Sequence, residues 1–201
     1  MKSWLIGIDE AGKGPLAGPV AVGVVKVAAG FDWRLIPGVG DSKKTSPKNR
    51  EAIFGRALQL KKEGKLDFAA VQTSASYIDA KGIVPAIRIA MKKGLAKVKA
   101  DPKVCHIKLD GSLKAPGEFS QETIIKGDAK ELVIGLASIM AKVTRDRYME
   151  TLSRKSQFIN YSFHTHKGYG TKQHRKQISL HGISTEHRAS YCQNLHLWGK
   201  L

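Results

Sequence analysis

Acidic residues are scarce in this chain, and several stand where chemistry is usually done. The 201 residues carry 34 Lys and Arg against 17 Asp and Glu, a formal net charge of +17. Asp9 and Glu10 close the short apolar run Trp4–Ile8. Asp110 closes a second run, Val104–Leu109, and Asp128 follows a third, Thr123–Ile125, just before a long helical pattern. Functional sites in α/β sheets form beyond strand ends, where these carboxylates fall. Carboxylates that converge in a basic surround need a compensating cation, and such oxygen ligands suit Mg²⁺ or Mn²⁺. Clustered acids inside a basic groove are the layout of two-metal phosphodiester chemistry. Each acid also has a plain structural reading: Asp128 can cap the helix after it, and Asp110-Gly111 can be a turn.

A chain this basic repels itself unless a polyanion is its partner, so nucleic acid leads and an anionic membrane surface comes second. Its length fits one domain with room for a C-terminal extension. Hydrophobic residues at 42% and charged residues at 25% exclude disorder as the main state. Two cysteines, Cys105 and Cys192, exclude a disulfide scaffold and a Cys-rich zinc module, and fit a reducing cytoplasm. The first apolar run is shorter than the roughly 7–15 residues of a secretory signal. No stretch approaches the roughly 18 residues of a membrane span. The expectation is a soluble, cytoplasmic protein without a membrane partner.

The elements that must position the acids read as an α/β fold. Trp4–Ile8 and the β-branched run Val20–Val27 read as strands. Ser46-Pro47 reads as an N-cap and first helical position, with a helix through Ile53, Phe54, Ala57 and Leu58 towards Gly64. Leu66–Thr73 alternates as a third strand. Ile83, Ile87, Ala90, Met91 and Leu95 recur at helical spacing, with Pro85 in the first turn. Val104–Leu109 and Thr123–Ile125 read as further strands. Glu131–Ser153 reads as a long helix with Leu132, Leu136, Ile139, Met140 and Val143 on its apolar face. The C-terminal part turns basic and His-rich, and predicts short helices over Gln173–Leu180 and Thr185–Gln193, separated by Gly182. No linker divides it from the rest. Residues 1–155 are therefore expected as the core and 156–201 as a helical extension packed on it.

Six blocks carry a resemblance. They are Gly7-Ile8-Asp9-Glu10-Ala11-Gly12-Lys13-Gly14 with its continuation to Val20, Asp41-Ser42-Lys43-Lys44, Lys126-Gly127-Asp128-Ala129-Lys130, Ala137-Ser138-Ile139-Met140-Ala141-Lys142 with its continuation to Asp146, His166-Lys167-Gly168-Tyr169-Gly170-Thr171, and Glu186-His187-Arg188-Ala189-Ser190. In this order, across nearly the whole chain, they resemble the type 2 ribonucleases H, the ribonuclease HII family. The resemblance implies an RNase H-like fold, a mixed five-stranded sheet flanked by helices with a helical C-terminal part. It implies hydrolysis of the RNA strand of RNA–DNA hybrids to 3′-hydroxyl and 5′-phosphate ends. The family's active-site carboxylates map onto Asp9, Glu10, Asp110 and Asp128 as catalytic and metal-binding residues. Two metals about 4 Å apart can serve both the attacking and the leaving oxygen. Asp9 is the expected bridging ligand; the spacing leaves open how Glu10, Asp110 and Asp128 divide between the metals. Neighbours on a strand point to opposite faces, so a bend is expected at Glu10, with the following glycines permitting it.

The resemblance also gives expected nucleic-acid contacts. Gly12, Lys13 and Gly14 would approach the backbone at the ribonucleotide and read its 2′-hydroxyl, the group that separates RNA from DNA. Ser42, Lys43 and Lys44 would meet phosphates. Tyr169 would stack on a sugar beside the scissile link. Independently of the resemblance, Lys142 and Arg145 on the long helix read either as groove-lining residues or as plain surface charges, and Asp146 reads as a structural ion-pair partner of a nearby basic residue. The partners implied are the hybrid and duplex DNA carrying ribonucleotides, bound by a monomer. Gln193-Asn194-Leu195-His196-Leu197-Trp198 faintly resembles a sliding-clamp-binding peptide, although an amphipathic helix end explains it more simply.

Several alternatives fail. After Gly12-x-Gly14 the third glycine is Gly18, one position later than a dinucleotide fingerprint requires. No glycine precedes Lys43 where a phosphate loop needs one. Cys105-His106 and Cys192 with His196 lack zinc-finger spacing. A purely binding protein would gain nothing from acids set against phosphates. Lys13 resembles the related HIII type, where HII enzymes usually carry Arg, but Pro15-Leu16-Ala17-Gly18-Pro19 resembles HII. The extra N-terminal domain of HIII enzymes is not expected. Lys81-Gly82-Ile83-Val84-Pro85 departs from the family's more polar helix start, which removes the basis for substrate contacts there.

Overall fold

A computed structural model of the chain describes residues 3–40, 42 and 45–193. Its sheet contains β1 (Trp4–Ala11), β2 (Val20–Ala28), β3 (Leu66–Thr73), β4 (Cys105–Asp110) and β5 (Ser120–Ile124), in the spatial order β3-β2-β1-β4-β5. β2 runs antiparallel to β1 and β3, while β1, β4 and β5 are parallel. The mixed five-stranded α/β architecture is the one expected. β1 and β2 read as near-continuous apolar runs because both faces of the sheet are covered. On one face Ile6, Ile8, Val22 and Val24 pack with Ile87, Ala90 and Met91 of α3 (Ile83–Lys97). On the other, Val25 and Val27 pack with Phe54 and Ala57 of α1 (Pro47–Lys62) and with Leu136, Ile139 and Met140 of a 22-residue helix, Leu132–Ser153.

That long helix is α5; α2 (Ala75–Lys81) precedes α3, and α4 (Gly127–Lys130) precedes α5. α5 lies directly on the sheet because the strands beneath it carry glycines. A Cβ on Gly7 would stand 2.2 Å from the Val133 carbonyl oxygen, and one on Gly23 would stand 2.0 Å from that of Ala137. The far end of α5 feeds a third apolar cluster, in which Met149 and Leu152 meet Phe158, Tyr161, Phe163 and Ile178. This C-terminal part contains α6 (Phe163–His166) and α7 (Lys172–His181).

Four sequence-based expectations are corrected. α2 was not foreseen, although Ser74 caps it by accepting the Tyr77 N–H and Gly82 ends it at φ 84°. β5 covers Ser120–Ile124 and not Thr123–Ile125. The helix expected over Thr185–Gln193 is absent except for a 3₁₀ turn at Ala189–Tyr191, because the backbone here is committed elsewhere. Arg188 N–H donates to Leu16 O at 2.7 Å, and Asp79 accepts the N–H groups of Ala189 and Ser190. Finally, β1 does not break at Glu10: it stays paired with β2 through Glu10↔Val22 and Ala11↔Ala21.

Candidate active site

The end of β1 becomes a site because its neighbour stops first. β4 pairs with β1 only as far as Ile8↔Leu109 and ends at Asp110, which leaves Asp9 and Glu10 at the open end of the sheet. The cavity there, about 210 Å³, is lined by Asp9, Glu10, Ala11, Gly12, Lys13, Gly14, Ser42, Asp110, Ser138, Lys142 and Tyr169. It wraps the strand end and so meets both carboxylates without the expected bend.

Each acid is held. Asp9 is 5% exposed and accepts the Glu10 N–H at 2.7 Å. Burial pushes its carboxyl up to about 8; Glu10 and Asp110 add to the rise, and a hydrogen bond from Ser138 opposes it. Asp110 accepts the Gly127 N–H at 2.6 Å, which ties the start of α4 to the end of β4. Asp128, the next residue, is buried in the first turn of α4 and does not border the cavity. Lys13 Nζ lies 4.0 Å from the Glu10 carboxylate, with its side chain half exposed. Ser42 is buried, its Oγ 2.7 Å from that of Ser138.

The basic side has two layers. Lys142 is held by Asp146 at 2.8 Å, as the expected pairing of Asp146 requires. It also borders a cleft of about 500 Å³ with Lys48, Arg50 and Lys167 on its walls. Arg145 corrects the expectation that it lines the groove. It is fully buried beneath Tyr169, its Cζ 5.7 Å from the ring centroid, and donates to Ala17 O and Pro19 O. Gly12 has φ 88°, and a Cβ there would stand 2.0 Å from Arg145 Nε, so glycine is required both by conformation and by space.

The family model of ribonuclease HII matches residues 6–194. The chain belongs to the ribonuclease HII family. Its sequence is 43% identical over 186 residues to the ribonuclease HII of Endomicrobium trichonymphae, covering 92% of this chain and 83% of that one. It is similar in structure to the ribonuclease HII of Archaeoglobus fulgidus, solved in a complex with PCNA, with a TM-score of 0.70, 27% identity and coverage of 95% and 96%. The ribonuclease H2 of Pyrococcus horikoshii OT3 shares the fold, with a TM-score of 0.72, 24% identity and coverage of 98% and 100%. The chain is thus a ribonuclease H acting on RNA–DNA hybrids, as the family's members are. Among the described residues no helix is long and apolar enough to cross a membrane.

Of the residues expected at the site, Asp9, Glu10, Asp110, Gly12, Lys13, Gly14, Ser42, Lys142 and Tyr169 meet at one cavity. Lys43, Lys44 and the sequence after Gln193 lie outside the described residues. Ser138 was missed as a site residue, yet it stands four positions before Lys142 on α5, a spacing that puts both on one helix face.

Three buried histidines lie behind Tyr169. Burial pushes His174 down to about 3 and His187 down to about 4, and lowers His166 as well. An unfolded His takes a proton near pH 6.5, whereas these stay neutral until lower pH, so the fold loses stability as pH falls below 6.5. Each contributes at most about 1.4 kcal/mol per pH unit. Moving from pH 7 to pH 5 should therefore cost about 2–4 kcal/mol for the pair His174 and His187. Urea unfolding in an Asp9→Asn background, which silences the opposing titration of Asp9, measures it; equal stability at both pH values would show these histidines charged in the fold.

Proposed function

We propose that the end of β1 holds two divalent cations, Mg²⁺ or Mn²⁺, on Asp9, Glu10 and Asp110, which border the cavity, together with Asp128, which follows the Gly127 held by Asp110. With them the chain would hydrolyse the RNA strand of hybrids, and ribonucleotides embedded in duplex DNA, to 3′-hydroxyl and 5′-phosphate ends. The observation that supports this most is the buried Asp9, beside Glu10 and Asp110, at the open end of a sheet in a chain of net charge +17. A carboxyl raised to about 8 by burial and by other acids marks a site that calls for a cation. The all-oxygen donor set fits a hard metal ion. Among the described residues no three of His, Cys, Asp and Glu are close enough to hold an ion by themselves. A hard divalent ion can keep several waters and take one or two carboxylates together with substrate phosphate.

When bound, such ions supply Lewis-acid stabilisation of the phosphoryl charge and a nucleophilic water. The chain's own residues do the rest. Ser138, oriented by Ser42, hydrogen-bonds Asp9 and fixes its carboxylate. Lys142, pinned by Asp146, offers a cation to the phosphate backbone. Gly12 and Gly14 let the backbone come close to the ribonucleotide, and the half-exposed Tyr169 presents its ring to the sugar. The reading is that of a cytoplasmic, monomeric enzyme.

If the groove meets about five phosphates, log K for a hybrid falls with log salt at a slope near −4 to −5. Lys142→Ala should flatten that slope by about one unit, and a salt-independent affinity would place the basic face elsewhere.

Lys13 sets the ribonucleotide preference. An Arg grips phosphate through a planar fork, whereas Lys is a mobile point charge. The enzyme should cleave hybrids with several consecutive ribonucleotides better than duplex DNA carrying one, because a single 2′-hydroxyl leaves no neighbouring contacts to compensate. Lys13→Arg should raise kcat/KM on the single-ribonucleotide duplex selectively, by up to about tenfold. An unchanged ratio between the two substrates would show that Lys13 already serves as Arg would. Mapping the cut on that duplex tests the wider reading: cleavage beside the ribonucleotide supports it, and an intact duplex contradicts it.

A further inference from the structure

The segment Glu186–Arg188 touches both elements read above as ribonucleotide contacts, and it touches them through buried polar side chains. Arg188 is fully buried, and its guanidinium donates to the carbonyls of Gly12 at 2.6 Å, Lys13 at 2.9 Å and Gly18 at 2.9 and 3.0 Å. Four hydrogen bonds from one planar fork fix the direction of that turn, because a peptide whose carbonyl points inward to Arg188 must point its N–H elsewhere. Glu186 O accepts the Gly18 N–H at 2.8 Å, and Arg188 N–H donates to Leu16 O, so the backbone is docked as well.

His187, between them, reaches the other element. Its Nδ1 accepts the Ser184 backbone N–H at 2.9 Å, which leaves the ring proton on Nε2. That proton points at His174 Nε2, 3.0 Å away. His174 must then carry its own proton on Nδ1, which lies 2.9 Å from the Tyr169 carbonyl oxygen and donates to it. A single backbone N–H thus determines the tautomers of two buried rings. Exposure is 3% at His187 and nil at His174, so no water competes.

We propose that His187 and Arg188 are specificity-determining positioning residues: from one three-residue segment they set Tyr169 and the Gly12–Gly14 turn in a fixed relation to each other, the relation a lone ribonucleotide needs. The inference rests on the reading of those two elements as the ribonucleotide contacts. Neither residue borders the cavity, and both act through the backbone atoms they hold. A duplex with a single ribonucleotide depends on both contacts together, whereas a run of ribonucleotides offers the enzyme several registers.

The test compares His187→Gln, which keeps a donor where Nε2 stood, with His187→Leu, which keeps the bulk against Tyr161 and Phe163 but removes the donor. Kinetics are measured on a duplex with one ribonucleotide and on a continuous hybrid, after thermal melting has verified that each variant is folded. Gln should stay within about twofold of wild type in the ratio of the two kcat/KM values. Leu should lower kcat on the single-ribonucleotide duplex about tenfold, with KM little changed and the hybrid losing less than threefold. Arg188→Lys, which keeps the charge and loses the fork, should shift the ratio in the same direction. If Gln and Leu behave alike, or Leu lowers both substrates equally, the residues only pack and the proposal is wrong. Nitrogen-15 spectra of the wild-type histidine rings at neutral pH test the relay without any variant. Protons on His174 Nδ1 and His187 Nε2 support it, and the opposite tautomers overturn it. Wild type that cleaves neither substrate would instead overturn the reading of the site on which the inference rests.

Discussion

Asp9→Asn should abolish cleavage of a hybrid, lowering kcat by at least about a thousandfold, while the protein becomes more stable. The two effects have one cause. Asp9 is nearly buried with Glu10 and Asp110 nearby, and its carboxyl is pushed up to about 8. A folded-state value above the unfolded 3.8 means that the folded chain holds a proton the unfolded chain has released, so stability falls as pH rises between those values. At pH 7 without metal, Asp9 must therefore take up a proton as the chain folds, and that uptake costs stability. Asparagine is neutral and keeps the acceptor for the Glu10 N–H and a partner for Ser138. A gain of about 1–3 kcal/mol in EDTA is expected, the exchange of stability for function that active-site charge produces. Thermal melting with and without Mn²⁺ gives a second readout: the metal should raise the wild-type midpoint and leave that of Asp9→Asn unmoved. An active Asp9→Asn enzyme, or one destabilised in EDTA, contradicts the assignment.

Gly23→Ala should cost about 3 kcal/mol, at the upper end of what overpacking a core produces. A Cβ at position 23 would stand 2.0 Å from the Ala137 carbonyl oxygen and 3.1 Å from the Ala141 nitrogen. Both are backbone atoms of α5, so no side chain can swing aside and the helix must lift. In a domain of this size that corresponds to a fall of roughly 6–12 °C in midpoint. The lift reaches the site, because Gly23 pairs with Asp9 across the sheet and Ser138 follows Ala137 on the helix. Activity should therefore fall more than the folded fraction does. A Gly23→Ala protein with unchanged melting and full activity would show that α5 has room to move.

The sequence made visible whatever depends on local pattern. The β-branched run of β2, the Ser46-Pro47 start of α1 and the apolar spacing in α3 each reflect one element meeting one layer, and they appear close to where periodicity places them. The meeting of Asp9, Glu10 and Asp110 at one cavity was legible because acids are rare in this chain and follow apolar runs; Asp128 follows one too but does not border that cavity. Contacts between residues far apart in sequence were not. Arg188 reads as one more basic residue near the C-terminus, yet its guanidinium caps carbonyls about 170 positions earlier, at Gly12 and Gly18. Arg145 reads as a groove residue from its place on α5 and turns out to be buried, held by two carbonyls of the same loop. The bend expected at Glu10 followed from strand alternation, which holds; what alternation could not supply is that β4 ends early and opens both sides of β1 to one cavity.

The most direct measurement is the metal dependence and product chemistry of cleavage on three end-labelled duplexes of one sequence: RNA–DNA hybrid, duplex RNA and duplex DNA. With Mg²⁺ or Mn²⁺ the enzyme should cut only the RNA strand of the hybrid, leaving 3′-hydroxyl and 5′-phosphate ends, and EDTA should stop it. Cleavage that persists in EDTA, cyclic-phosphate ends, or equal cutting of duplex RNA would contradict metal-assisted hydrolysis at Asp9, Glu10, Asp110 and Asp128.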